Sequence, residues 1–140
     1  MAGRQWAGWV RLRHGHGRVV TPHGLRSLDA ADANYRGHYE GPQSQRDAAY
    51  HQGTVWGWLL SPFVLAHLRV YRDPRAFAFL EPMAQHLFTS GLGTISEIFD
   101  GEAPFTPREA FAQAWSVAEP LRAWRACYDA GLRVKDLTRC

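Results

Sequence analysis

Large apolar residues recur at helical spacing over three stretches in the second half of the chain. These stretches cover about residues 54–70, 74–89 and 108–130. Apolar positions three or four residues apart share one face of a helix, so the pattern predicts three amphipathic or buried helices. Thr54 and Asp73 are suited to N-cap the first two helices, and Gly131 is suited to end the third.

Each predicted helix contains a proline, namely Pro62, Pro82 and Pro120. A proline inside a helix removes a backbone hydrogen bond, so we expect three bent helices. No stretch shows a sustained alternation of apolar and polar residues, and the predicted fold class is therefore all-α. Short extended pieces near Val19 or Thr94 remain open.

Residues 1–53 show neither the helical nor the strand periodicity of apolar residues for long. We expect residues 1–20 to form a poorly ordered or divergent segment. Within it, His14 and His16 either bind a transition metal weakly or belong to a polar tail. We favour the tail, and predict no metal site and no cofactor. Residues 21–53 are rich in Gly, Asp, Asn and Pro and predict a long structured loop. Loops of that length in compact domains are usually functional or disordered, and the aromatic residues here favour function.

Composition excludes several classes of function. The chain has 140 residues, 46% of them hydrophobic, which suits one globular domain. Its formal net charge is only +3 and its basic residues are scattered, so no nucleic-acid partner is predicted. No apolar run reaches the roughly 18 residues that span a bilayer, so no membrane association is predicted. Two cysteines form no disulfide framework and favour a cytoplasmic location.

The segment "GTISEIFDGEAPF", residues 93–105, concentrates acidic side chains where glycine and proline exclude a regular helix. Glu97 is our candidate for a catalytic carboxylate, and Asp100 is the nearby competitor. A catalytic base must be ionised and held by neighbours, a task that suits Ser96 or the amide of Gly93. The alternative is an acidic surface loop that only meets water.

Two short runs carry residues suited to sugar recognition. Sugars are bound by aromatic faces together with amide and imidazole groups that meet the hydroxyls. The candidates in "YHQGTVW" are Tyr50, His51, Gln52 and Trp56, and those in "AQAWS" are Gln113 and Trp115. Packing in the core is an equally good interpretation for the last two. It is the preferred one for Trp58, and a structural role is preferred for His67 and His86.

Several runs, taken in order and at their spacing, resemble the C-terminal end of the bacterial glycogen debranching enzymes with amylo-α-1,6-glucosidase activity. They are "TPHGLRSL", "YRGHYEG", "RDAAYHQGTVWGWLLSPFVLAHLRV", "GTISEIFDG" and "TPREAFAQAWSVAEPLRAW", within about residues 21–124. The resemblance implies that residues 21–131 form the C-terminal portion of an (α/α) six-hairpin toroid that is incomplete in this chain. Residues 132–140 would form a tail.

The resemblance also implies chemistry. In that family a carboxylic acid protonates the glycosidic oxygen and a glutamate near the end of the chain acts as base on a water, and Glu97 occupies the base position. The general acid would belong to an earlier part of the domain that this chain does not contain. The sequence departs from the family at "WGW", where proline is usual between the tryptophans. It also departs at Glu109 and Ala110, where glycine and often cysteine are expected, which puts a charge near the pocket side.

The implied partners are glycogen or a branched α-glucan oligosaccharide, and a complementing chain that carries the rest of the domain. Contiguous apolar faces left on an incomplete domain would favour such association. Two alternatives stay open: a non-catalytic glucan-binding or helical interaction module, and an inactive remnant that folds poorly.

Overall fold

The computed structural model describes residues 18–137, which form a five-stranded antiparallel sheet and four α-helices. The strands are β1 (Val20–Thr21), β2 (Gly24–Arg26), β3 (Val55–Trp56), β4 (Ile98–Phe99) and β5 (Pro107–Arg108). The helices are α1 (Gln43–Ala49), α2 (Leu60–Tyr71), α3 (Glu81–Thr89) and α4 (Ala114–Leu137). Two 3₁₀ helices, Gly57–Leu59 and Pro74–Leu80, lead into α2 and α3.

The sheet brings distant parts of the chain together. Its strands follow chain order from β1 to β5, and every neighbouring pair is antiparallel. Trp56 on the central strand pairs with Leu25 on one side and with Ile98 on the other. Because β3 and β4 are antiparallel, the residue that follows Trp56 lies across from Glu97, which directly precedes Ile98.

The predicted all-α class, as a portion of an (α/α) six-hairpin toroid, is wrong, because this sheet joins segments between residues 20 and 108. Most of these strands are two residues long, too short to show the alternation by which a strand is read from sequence. Thr54 does not cap a helix, since its hydroxyl donates to the carbonyl of Tyr50 at 2.6 Å. The backbone stays extended through Trp56, and α2 begins only at Leu60.

The other helix boundaries also differ from the prediction. Asp73 does cap, accepting from the amide of Arg75 at 3.0 Å, but the segment it starts is a 3₁₀ helix followed by α3. The last helix begins at Ala114 instead of 108 and continues through Gly131. Of the three prolines only Pro120 lies beyond the first turn of its helix.

Pro62 and Pro82 lie in the first turns of α2 and α3, where the backbone amide has no partner within the helix. They therefore cost no helical hydrogen bond and are well placed to start a helix instead of bending one.

The main core lies between the sheet and the helices. It contains the buried residues Val55, Leu60, Val64, Ala76, Phe79, Leu80, Met83, Ile95, Phe99, Ala123 and Cys127. A second buried cluster contains Tyr39, Ala49, Trp56 and Ile98. Because β3 and β4 contribute to both clusters, the positions of residues just before these strands are set by buried packing.

The largely buried ring of His23 makes the stability of the fold depend on pH. Its ring stacks on Phe99 with centroids 4.7 Å apart, and the ring of His86 lies 5.9 Å away. Burial, and secondarily His86, lower the pKa of His23 from 6.5 to about 4. The unfolded chain therefore binds a proton between these pH values that the folded chain does not bind, so this stabilisation is complete above pH 6.5 and is lost as pH falls towards 4.

We expect the free energy of unfolding to fall by about 2 kcal/mol from His23 alone between pH 7 and pH 4.5, after discounting for its partial exposure. Urea unfolding of the wild type and of His23→Phe at both pH values measures this contribution. The phenylalanine keeps a ring against Phe99 but cannot take up a proton. An equal loss of stability in the two proteins would contradict the assignment.

Candidate functional site

The loops before β3 and β4 meet in one contact between side chains. The hydroxyl of Tyr50 donates to Oε1 of Glu97 across a separation of 47 positions in the sequence. Tyr50 follows directly after α1, and Glu97 directly precedes β4. Tyr50 lies back against Trp56, whose indole nitrogen donates to the Tyr50 carbonyl at 3.3 Å, and Trp56 pairs with Ile98, the neighbour of Glu97.

Tyr50 is a fixed hydrogen-bond donor to Glu97. Burial, and then the hydrogen bond to Glu97, raise the pKa of Tyr50 above its ordinary value, so the phenol keeps its proton at neutral pH. The supports considered from the sequence have other partners: Ser96 Oγ lies 3.3 Å from a ring nitrogen of His86, and the Gly93 amide donates to Leu87. Tyr50 is therefore the side chain that orients this carboxylate.

The other two carboxylates of the loop have partners away from the pocket. Asp100 is buried and accepts three charge-assisted hydrogen bonds from Arg108, two at 3.1 Å and one at 2.7 Å. Glu102 accepts from the hydroxyl of Tyr35 at 2.7 Å. Glu97 differs from Asp100 because its hydrogen-bond partner is a neutral phenol beside a pocket.

That pocket is open, predominantly aromatic and has a volume of about 450 Å³. It is lined by Ser27, Tyr50, His51, Trp56, Trp58, Leu59 and Trp115. Both its size and its lining of apolar rings with a few polar groups are typical of sites for small molecules, including sugars.

The rings of the pocket form two stacked pairs. His51 lies on Trp56 with centroids 5.4 Å apart and planes 6° apart, and Trp58 lies on Trp115 at 5.4 Å and 28°. Tyr50 meets Trp56 edge-on at 4.8 Å. Because Trp56 is buried in the second core cluster, one of the two pairs rests on a rigid base.

The structure brings most of the sequence candidates together. Tyr50, His51, Trp56 and Trp115 line the pocket, and Glu97 is joined to it through Tyr50. Gln52 and Gln113 are not lining residues. Gln52 is exposed, and its carbonyl accepts from the amide of Arg36 at 2.6 Å.

Gln113 acts on Trp115 instead of on the pocket. Its Oε1 accepts from the indole nitrogen of Trp115 and, at 2.9 Å, from the hydroxyl of Ser116. Trp58 was interpreted from sequence as a core residue, yet it lines the pocket and stacks on Trp115. Trp58 lies in the 3₁₀ helix that follows β3, so neither strand nor α-helix periodicity in the sequence marks it as a pocket residue.

No group of three or more His, Cys, Asp or Glu is placed to hold a metal ion within residues 18–137. His14 and His16 lie outside the described residues. In that same part of the chain, no helix has the length and apolar character needed to cross a membrane.

Comparison with known proteins gives a family. A family profile described as amylo-α-1,6-glucosidase matches residues 5–122. The chain belongs to this family. It is also similar to the glycogen debranching enzyme of Saccharomyces cerevisiae, with 39% identity over 62 residues. That match covers 39% of this chain and 4% of the yeast protein, so the chain spans only a small part of its curated relative.

The resemblance seen in the sequence motifs is thus confirmed at the level of the amylo-α-1,6-glucosidase family. The match contains Glu97 and every residue that lines the aromatic pocket. The site therefore lies in the part of the chain that the family shares.

Proposed function

We propose that this chain supplies the catalytic base and part of the sugar pocket of an amylo-α-1,6-glucosidase that hydrolyses the α-1,6 branch points of glycogen with inversion. The observation that carries the proposal is the hydrogen bond from Tyr50 to Glu97 at the edge of the aromatic pocket. It joins a carboxylate held in one orientation to a surface suited to a pyranose ring.

In the proposed reaction, Glu97 takes a proton from a water as that water attacks the anomeric carbon. A second carboxylic acid protonates the departing glycosidic oxygen from the opposite face, about 6.5–9.5 Å away in inverting enzymes. We assign the second group to a complementing chain that carries the rest of the domain. Tyr50 is a positioning residue for Glu97 in this scheme, and its ring also borders the pocket.

Sugar binding is assigned to the rings and to nearby polar groups. Apolar C–H faces of a glucose unit would stack on the exposed ring faces, and imidazole and amide groups would meet its hydroxyls. The proposed contacts are Tyr50, His51, Gln52, Trp56 and Trp115. Gln113 would contribute through the hydrogen bond that fixes Trp115.

A complementing chain would also cover apolar surface. Phe88, Leu92 and Leu121 are 83%, 86% and 60% exposed, and a groove of about 280 Å³ between α3 and α4 is lined almost entirely by apolar side chains. Of the three, Leu121 lines the groove, and exposed apolar surface of this kind marks sites of association. We place the complex in the cytoplasm, where the free thiol of Cys127 would stay reduced.

A non-catalytic glucan-binding module is the second candidate. It is favoured by the pocket lining itself, since none of the described residues that line the pocket is Asp or Glu. Binding alone does not separate the two candidates, so binding and hydrolysis need separate tests.

Binding is tested by Trp115→Ala. We expect the dissociation constant for a branched maltooligosaccharide to rise by about tenfold, because one stacking ring is lost. Isothermal titration of the 140-residue chain measures it. Trp124→Ala is the matched control: Trp124 lies on the same helix, is 48% exposed against 49% for Trp115, and does not line this pocket.

Equal losses in Trp115→Ala and Trp124→Ala would contradict the pocket assignment. A folded wild-type chain that gives no saturable heat would contradict glucan binding altogether, and with it both candidate functions.

A further inference from the structure

A β-bulge lies directly opposite Glu97. Strands β4 and β5 pair Ile98 with Arg108, so a regular continuation would place Glu97 opposite Glu109. The amide of Glu97 instead donates to the carbonyl of Ala110 at 2.9 Å. Glu109 and Ala110 therefore both face Glu97, and such bulges commonly redirect side chains beside active sites.

The bulge holds Glu109 in a strained conformation. Its φ is 56°, in the left-handed region that glycine adopts freely and that other residues adopt at a cost. Strained residues of this kind cluster at functional sites, so an observed outlier beside a pocket points towards function. The glutamate side chain is also exposed, which leaves it accessible to a ligand.

The Glu109 carboxylate belongs to the same cluster of side chains as Glu97. A hydrogen bond to Glu109 is the main reason that the pKa of Tyr39 lies above its ordinary value. The ring of Tyr39 lies 5.9 Å from the ring of Tyr50, and the charge of Glu109 also acts on Tyr50. Glu109 thus acts on Tyr39, whose ring is a neighbour of the tyrosine that binds Glu97.

We propose that Glu109 is a specificity-determining residue that binds sugar hydroxyls at the edge of the pocket beside Tyr50. The two oxygens of an ionised carboxylate can accept from a pair of adjacent hydroxyls, a pattern that an α-glucan unit presents. Glu97 stays assigned to the attacking water, and Glu109 to the orientation of the sugar. This inference rests on the proposed glucan-binding function.

Two substitutions separate a binding role from simple strain. Glu109→Gly relieves the left-handed conformation, so we expect the melting midpoint to rise by about 2–4 °C. Glu109→Gln keeps the shape and the strain but removes the charge. We expect both variants to bind a branched maltooligosaccharide about tenfold more weakly than the wild type, since a charged hydrogen-bond acceptor is lost.

Calorimetric titration and thermal unfolding of the full chain measure both effects, with Glu119→Gln on α4 as the control for removal of an acidic charge. Unchanged affinity in both Glu109 variants, with the wild type binding normally, would overturn the inference alone. Absence of binding by the wild type would overturn the proposed function, and this inference with it.

Discussion

We expect Glu97→Gln to lower the rate of hydrolysis of α-glucosyl fluoride by this chain by about 100-fold or more, the loss that follows removal of a general base. Fluoride leaves without being protonated, so this substrate needs a base for the attacking water but no general acid. It therefore tests Glu97 without the complementing chain. The amide can still accept from Tyr50 but cannot take a proton from water.

Fluoride release measured with an ion-selective electrode gives the rate, and the anomer formed first reports inversion. Glu119→Gln is the matched control, because it removes only a surface ion pair with Arg122 on α4 and should leave the rate unchanged. An unchanged rate in Glu97→Gln would contradict its assignment as base. No release above the solvent rate by the wild type would leave the glucan-binding module as the function.

The aromatic and acidic candidates could be chosen from the sequence because sugar chemistry limits the residue types that can do the work. Tyr50, His51 and Trp56 lie within seven positions of one another, so any compact folding of that run brings them near the same pocket. Their link to Glu97 could not be read in the same way. It depends on the pairing of Trp56 with Ile98, which crosses more than forty residues and leaves no local pattern.

The fold class failed for a related reason. Val55 and Trp56 fit the apolar face of a helix as well as they fit a strand. Thr54, a residue type that often caps helices, favours the helix. Only the hydrogen bonds from β3 to β2 and β4 decide between them, and these are long-range contacts. At position 109, likewise, the sequence shows only that a glutamate replaces the glycine expected for the family. The left-handed backbone, which accounts for the preference for glycine there, is seen only in the structure.

Two carboxylates of the acidic loop, those of Glu97 and Asp100, have different partners. Asp100 directly follows β4, is buried and pairs with Arg108, whereas Glu97 directly precedes β4 and accepts from Tyr50. The residue pattern alone does not distinguish Glu97 from Asp100 as the catalytic carboxylate. Their different partners predict different effects when each is substituted. Removing the charge of Glu97 should lower the rate of hydrolysis, and removing the charge of Asp100 should lower the free energy of unfolding.

Asp100→Asn should lower the free energy of unfolding by about 2–3 kcal/mol, because breaking this partly buried ion pair leaves Arg108 only its longer ion pair with the exposed Glu40, at 3.8 Å. The figure is below the value for a fully buried pair, since the side chain of Arg108 is 29% exposed while that of Asp100 is 4% exposed. Urea unfolding at pH 7 would show a lower midpoint at unchanged slope.

Glu102→Gln is the control for that experiment: its ion pair with Arg26 spans 3.9 Å and its own side chain is 45% exposed, so its charge should contribute less than about 1 kcal/mol. Under conditions where Asp100→Asn remains folded, hydrolysis of α-glucosyl fluoride should stay within a few-fold of the wild type. A loss of hydrolysis as large as that of Glu97→Gln, with stability unchanged, would reverse the two assignments and make Asp100 the base.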